Sequence, residues 1–192
     1  MPELAARSGL EHLVLAGRAG MPTDNPGVTV TLVQDRALAM IIARKGRAAE
    51  LRNLPTEPRI CMVGGISFVW AGPGRWLAMA QPKPAEAFLK QMREQCAELA
   101  SVIDQSDARI LVRLAGPNAR DVLAKGVLID LHPRAFAVGD AALTSIGHVR
   151  AHFWQTEVTP AYEIAVMRSY AAAFWHWLMD SAAAYGVLIQ PP

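Results

Sequence analysis

The same order of landmarks runs twice along this chain, and the doubling limits its possible folds more than any single motif. The first half reads as a strand, a helix after Gly46, a hairpin, the strand Trp76 to Ala80 and a long helix. The second reads as a strand, a helix after Gly116, a hairpin, the strand Tyr162 to Met167 and another long helix. Matching landmarks are offset by about 70 to 86 residues, with low identity between the halves, so the argument is one of order. A duplicated α+β unit, with antiparallel sheets and helices on one side, is the economical architecture. The expected organisation is an N-terminal arm over residues 1–27, then one domain over 28–192 made of two halves, about 28–100 and 101–192.

The second half is organised around Asp104 to Gly126, DQSDARILVRLAGPNARDVLAKG. Arg109 to Leu114 alternates polar and apolar residues at period two, the pattern of a half-buried strand. Gly116-Pro117 breaks it, with proline placed just inside a helix start and Asp121 at the positive end of the helix dipole. Val122 and Leu123 supply the apolar face, and Lys125-Gly126 closes the helix with a cation and a left-handed glycine.

Elsewhere, Val28 to Val33 and Leu38 to Ala43 read as strands, followed by a helical piece from Arg47 to Asn53. Arg59 to Val63, Ile66 to Ala71 and Arg75 to Ala80 are further strands, with Gly72-Pro73-Gly74 as a hairpin turn. Pro82 and Pro84 announce a helix from about Ala85 to Ala100, whose Phe88, Leu89, Met92, Cys96 and Leu99 fall at helical spacing. Ala142 to Gln155 reads as a strand interrupted at Gly147. A last helix runs from Ser169, as N-cap, to Tyr185, with Gly186 beyond it. In the arm, His12 to Ala16 starts a short helix before glycines and prolines break the chain. Leu13-Val14-Leu15 points to an arm laid along another surface.

Apolar residues make up 52% of the chain and include 5 Trp; the mean hydropathy is +0.18. Soluble monomers run nearer about 45–50% apolar, so the surplus points to a covered interface. The net charge of +2 is scattered. Only Arg44-Lys45-Gly46-Arg47 clusters, and a solvated turn explains it better than nucleic-acid binding. Cys61 and Cys96 form no metal or redox spacing and read as reduced core thiols of a cytoplasmic protein. No apolar run approaches the ~20 residues of a membrane span.

No catalytic or metal-binding kit emerges. His148 and His152 would share a strand face about 13 Å apart, too far for one metal. Ser67, Ser106, Ser145 and Ser169 lack a nucleophile-elbow setting. Asp104 and Asp107 could form an acid/base pair, but a turn before a strand needs the same residues. Arg75-Trp76 is the best pocket candidate, because an arginine beside an indole can hold an anionic or aromatic ligand. Trp70, Trp175 and Trp177 are interface candidates.

Three segments together carry a resemblance: FVWAGPGRWLAMA (Phe68 to Ala80), VIDQSDARILVRLAGPNARDVLAKGVLIDLHP (Val102 to Pro133) and YEIAVMRSYAAAFWHWLMDSAAAYG (Tyr162 to Gly186). The chain resembles the gamma subunits of heterotetrameric sarcosine oxidase, which are similar to the aminomethyltransferases with a duplicated, partly swapped folate-binding fold. The resemblance implies a complex that demethylates sarcosine to glycine, transfers the one-carbon unit to tetrahydrofolate and forms hydrogen peroxide. It places FAD and FMN on a beta subunit, NAD and folate processing on alpha and zinc on delta, with no catalytic residue on gamma. The glycine-rich loop of folate-using relatives is replaced here by Gln155 to Ala161 ahead of Glu163-Ile164. The alternatives are a stand-alone folate-binding or one-carbon-transfer protein, and a gamma subunit serving another N-methylated amine.

Overall fold

A computed structural model describes residue 10, residues 13–81 and residues 84–191. Among the described residues, twelve strands form two sheets: β1 (Gly17–Ala19), β2 (Val28–Val33), β3 (Ala37–Ala43), β4 (Ile60–Val63), β5 (Ile66–Gly72), β6 (Arg75–Ala80), β7 (Ala100–Asp104), β8 (Arg109–Ala115), β9 (Ala141–Ile146), β10 (Val149–Glu157), β11 (Ala161–Met167) and β12 (Val187–Gln190). Three α-helices accompany them: α1 (Ala85–Cys96), α2 (Ala119–Ala124) and α3 (Ala171–Ala182). One sheet has the order β1-β12-β2-β8-β11-β10-β9 and the other β4-β5-β6-β3-β7.

Alternation along the strands sorts side chains into three cores. Ala39, Ile41, Phe68, Trp76 and Ala78 pack beneath α1, through its Phe88, Leu89, Met92 and Cys96. Val112, Leu114, Phe153, Ile164 and Val166 pack beneath α2 and α3, through Val122, Leu123, Phe174 and Leu178. The intervening residues meet between the sheets, where Leu38, Val69, Leu77 and Met79 face Leu111, Trp154 and Ala165. The result is an α+β sandwich of helix, sheet, sheet and helices.

The duplication survives in detail. β3 leads through a hairpin, β6 and α1 as β8 leads through a hairpin, β11 and α3. The hairpins turn on Gly64-Gly65 and on Gly147-His148, both with two positive φ angles. Bulges occur at matching places, near Trp70/Gly72 in β5 and Gln155/Glu157 in β10. The strand that opens each half crosses to the other sheet: β2 pairs antiparallel with β8, and β7 pairs antiparallel with β3.

Several local expectations change. The piece from Arg47 to Asn53 is only a 3-10 turn, Ala48–Glu50, because Pro55 and Pro58 follow closely. The long helix stops at Cys96, where Ala97 takes φ +38°, and Ala100–Asp104 is a strand. The interrupted strand of the second half is a complete hairpin. Asn118, not a residue before proline, caps α2, and Gly126 is absent from the positive-φ residues that close turns. Tyr170 rather than Ser169 stands at the α3 N-cap. His12 and Pro82 lie outside the described residues. Among those described, residues 13–16 are not helical. Leu10, Leu13 and Val14 instead pack on this chain's own core, and β1 pairs with β12.

Candidate functional site

Two buried titratable groups, Glu163 and His152, lie on the face of the seven-stranded sheet that meets the other sheet. Glu163, on β11, interrupts an otherwise apolar strand and is 8% exposed. Arg36, in the crossing from β2 to β3, grips it with two bonds: Nη1 donates to Oε2 at 2.6 Å and Nη2 to Oε1 at 2.8 Å. Arg36 Nε also donates to Gln81 Oε1 at 3.1 Å. Across the ladder from Glu163 stands Arg113, which donates to Glu157. Such paired, hydrogen-bonded charges are held in place by one another and offer little to a ligand.

His152, on the same face, is 4% exposed. Arg109 Nη1 lies 3.3 Å from its Nδ1, which makes Nδ1 the acceptor and leaves the proton on Nε2. Burial, with Arg109 and Arg150 adding repulsion, pushes its pKa down to about 3. It is a neutral imidazole at physiological pH.

On the helix side of that sheet, Tyr162 stands directly opposite Gln155. Burial raises the Tyr162 pKa, against an opposing influence from Arg120. Phe136 covers this region and stacks on Phe153 with ring centroids 5.0 Å apart. Above it lies a cleft of about 390 Å³, lined by Pro58, Arg59, Ile129, Ala135, Phe136 and Asp140. A second cleft, of about 440 Å³, is formed by Arg18, residues 19–24, Pro26 and Val187.

The residues singled out from sequence are dispersed. Arg75 is exposed, while Trp76 is 3% exposed and donates from Nε1 to the Pro55 carbonyl at 2.7 Å. Neighbours on a strand point to opposite faces, so the two form no common pocket. Trp175 is 4% exposed and belongs to the protein's own core, which removes it as an interface anchor. Trp177 is half-buried, with its ring against Gly126 and Gly147. Trp70 is half-buried opposite Trp76. His148 occupies the hairpin turn and His152 the interior, so they share no strand face. Asp104 Oδ1 accepts from the Ser106 N–H at 2.9 Å, and Ser106 Oγ braces Leu38. Those residues build a turn. Among the described residues, no three His, Cys, Asp or Glu side chains are placed to hold a metal. Cys61 and Cys96 are free, and burial raises both thiols.

Arg36 has no role in the sequence reading, Arg109 and Arg113 enter it only within a strand, and His152 only as a histidine too far from His148 to share a metal. Glu163 carried a legible signal, a lone charge inside YEIAV, but its partner Arg36 is distant in sequence. A tetrahydrofolate, implied by the sequence resemblance, would need free donors and acceptors in a slot. Glu163 and the Trp76 N–H are already engaged, and neither residue lines the two clefts described. These residues do not fit that group.

Comparison with known proteins accounts for this arrangement. Residues 34–184 match the sarcosine oxidase, gamma subunit family. The sarcosine oxidase subunit gamma of Corynebacterium sp. (strain P-1) is 34% identical over 123 residues, 64% of this chain and 60% of that protein. Its counterpart from Corynebacterium sp. (strain U-96) is 32% identical over 124 residues, 64% of this chain and 59% of that protein. The aligned region thus spans about three fifths of these curated relatives. Among solved structures, a chain of heterotetrameric sarcosine oxidase from Corynebacterium sp. U-96, in complex with pyrrole 2-carboxylate, superposes with a TM-score of 0.77 at 28% identity, covering 94% of this chain and 96% of that one. Aminomethyltransferase T of the glycine cleavage system from Bartonella henselae shares the fold, with a TM-score of 0.61 at 16% identity over 86% of this chain and 48% of that one. The chain belongs to the sarcosine oxidase gamma subunit family.

Proposed function

We propose that this chain is the gamma subunit of a heterotetrameric, sarcosine-oxidase-type flavoprotein complex, and that it serves as a non-catalytic structural subunit. Its partners are alpha, beta and delta subunits, which carry FAD, FMN, NAD, zinc and tetrahydrofolate. The complex demethylates sarcosine to glycine in the cytoplasm. An electron pair leaves the N-methyl group through flavin to oxygen, giving hydrogen peroxide, and tetrahydrofolate takes the one-carbon unit. The observation that carries this reading is the match along 96% of a chain from heterotetrameric sarcosine oxidase. The engaged state of Glu163 and Trp76 supports a structural role over folate chemistry on this chain.

The test is a pull-down of the tagged chain from its native cell, with mass analysis and a visible spectrum. Co-elution with larger and smaller partners and a yellow flavin band is expected. A colourless chain eluting alone overturns the reading.

A further inference from the structure

Two sheets have four outer edges, and three of them are managed within the chain. The β9 edge is tied at its two ends, where Gly147 N–H donates to the Gly126 carbonyl and Ala141 N–H to the Pro58 carbonyl. The β4 edge is four residues long and is tied at its start, where Ile60 N–H donates to the Gly139 carbonyl at 2.9 Å. The β1 edge is only three residues long. The β7 edge has no such protection. Ala100 to Asp104 carries no proline, lysine or bulge, and no loop of the described residues covers it, the usual devices against unwanted strand pairing.

The backbone there is aimed outward in a defined pattern. Arg44 N–H donates to the Leu99 carbonyl, and Gln105 N–H to the Leu38 carbonyl. By the antiparallel alternation these fix Leu99, Ser101, Ile103 and Gln105 as the residues bonded to β3. Ala100, Val102 and Asp104 therefore turn their amide groups to the open side, where the Asp104 carbonyl accepts from Gln105 Nε2 at 2.9 Å. Beside them Ile103 is 47% exposed, next to its half-buried cross-strand neighbour Met40.

The other half of the molecule displays the solution to the same problem. β2 is the counterpart of β7, and its outer edge is covered by β12, which pairs with it in parallel from Val28↔Val187 to Thr31↔Gln190. Among the described residues no equivalent strand covers β7, because the chain leaving α1 becomes β7 itself. The ends of the open edge are acidic: Glu98, held by Arg44 only at 3.6 Å, lies before it, and Asp104 and Asp107 close it.

We propose that the β7 edge receives an extended segment of a partner subunit as an added parallel strand, apolar at alternate positions and flanked by lysine or arginine. Main-chain bonds to Ala100, to Val102 and to the Asp104 N–H provide the attachment, and one apolar side chain covers Ile103. The acidic ends select the basic flanks. This inference rests on the subunit reading above and names the surface that reading requires.

Val102→Pro tests it. The Val102 N–H faces away from β3, so proline leaves the native ladder intact while removing an outward donor and obstructing an incoming strand. In cells co-expressing the partner subunits, tagged Val102→Pro should retain them about tenfold less than wild type or Val102→Ala. Hydrogen exchange on unmodified protein supplies the second readout. The Ala100, Val102 and Asp104 amides should exchange about tenfold more slowly in the complex than in the isolated chain. Equal retention by Val102→Pro, or exchange unchanged by assembly, overturns the edge docking and leaves the subunit reading standing. Protection arising only from self-association of the isolated chain overturns the partner as occupant. A wild-type chain that retains no partner overturns the subunit reading and this inference with it.

Discussion

Gly126 and Gly147 flank the indole of Trp177 so closely that neither can carry a side chain. A Cβ at Gly126 would meet Trp177 Cζ2 at 2.5 Å, and one at Gly147 would strike the same ring. Gly126 is therefore needed for close approach and not for a left-handed turn. Gly126→Ala should cost about 1–3 kcal/mol through overpacking. Trp177→Leu should recover part of that cost, giving a non-additive cycle in chemical denaturation. His152 sets a second residue-scale expectation. Its folded pKa of about 3 lies below the ordinary 6.5. Both folded and unfolded forms are neutral above that ordinary value, whereas below it only the unfolded chain gains the proton. Its contribution is thus complete at pH 7 and is lost at about 1.4 kcal/mol per pH unit as the pH falls toward 3. His152→Gln should flatten this acid limb, reducing the stability lost between pH 7 and 5 by about 2 kcal/mol in urea titrations.

At the scale of elements, the exchange of opening strands between sheets depends on how each crossing is held. The β2–β3 crossing is pinned by Arg36 on Glu163 and Gln81, and the β7–β8 crossing by Ser106 on Leu38. Arg36→Ala strands a nearly buried carboxylate and should cost about 3 kcal/mol. The paired replacement Arg36→Met with Glu163→Leu should cost less than Arg36→Ala alone, as measured by equilibrium unfolding. The strands involved are legible in sequence where burial alternates, as at Val28–Val33, or where a hairpin turn precedes them, as at Arg75–Ala80, which is buried on both faces. β7 was not, because nothing local ends α1: Ala97, not a glycine, adopts the positive φ that turns the chain. The β9–β10 hairpin was half-legible, since Gly147 signals a turn but His148, at φ +68°, does not. The Arg36–Glu163 contact had no sequence signature, because a long-range ion pair leaves no period behind. Trp175 and Trp177 fell on neighbouring helix positions, and only packing could assign one to the core and the other to its margin.

The whole molecule pairs Glu163 with Arg36 inside and leaves apolar groups outside, a distribution suited to a subunit. Leu128 and Val158 are 81% and 86% exposed, and Met62 and Tyr170 are also exposed. Ile129 joins Ala135 and Phe136 along the cleft beside Arg59 and Asp140. Single exposed apolar residues are ordinary, but an apolar cleft rimmed by charge together with an uncapped sheet edge marks surface awaiting a partner. The isolated chain should therefore bind anilinonaphthalene sulfonate more strongly than a monomeric domain of its size. Adding the partner subunits should quench that fluorescence in proportion to assembly, because the same surface is being covered. Arg59→Ala, which opens the rim at Asp140, should leave folding nearly unchanged, since the exposed pair contributes at most about 1 kcal/mol. A dye-negative chain that stays monomeric at high concentration would contradict this, since surface that attracts neither dye nor its own copies has no apolar area in need of cover.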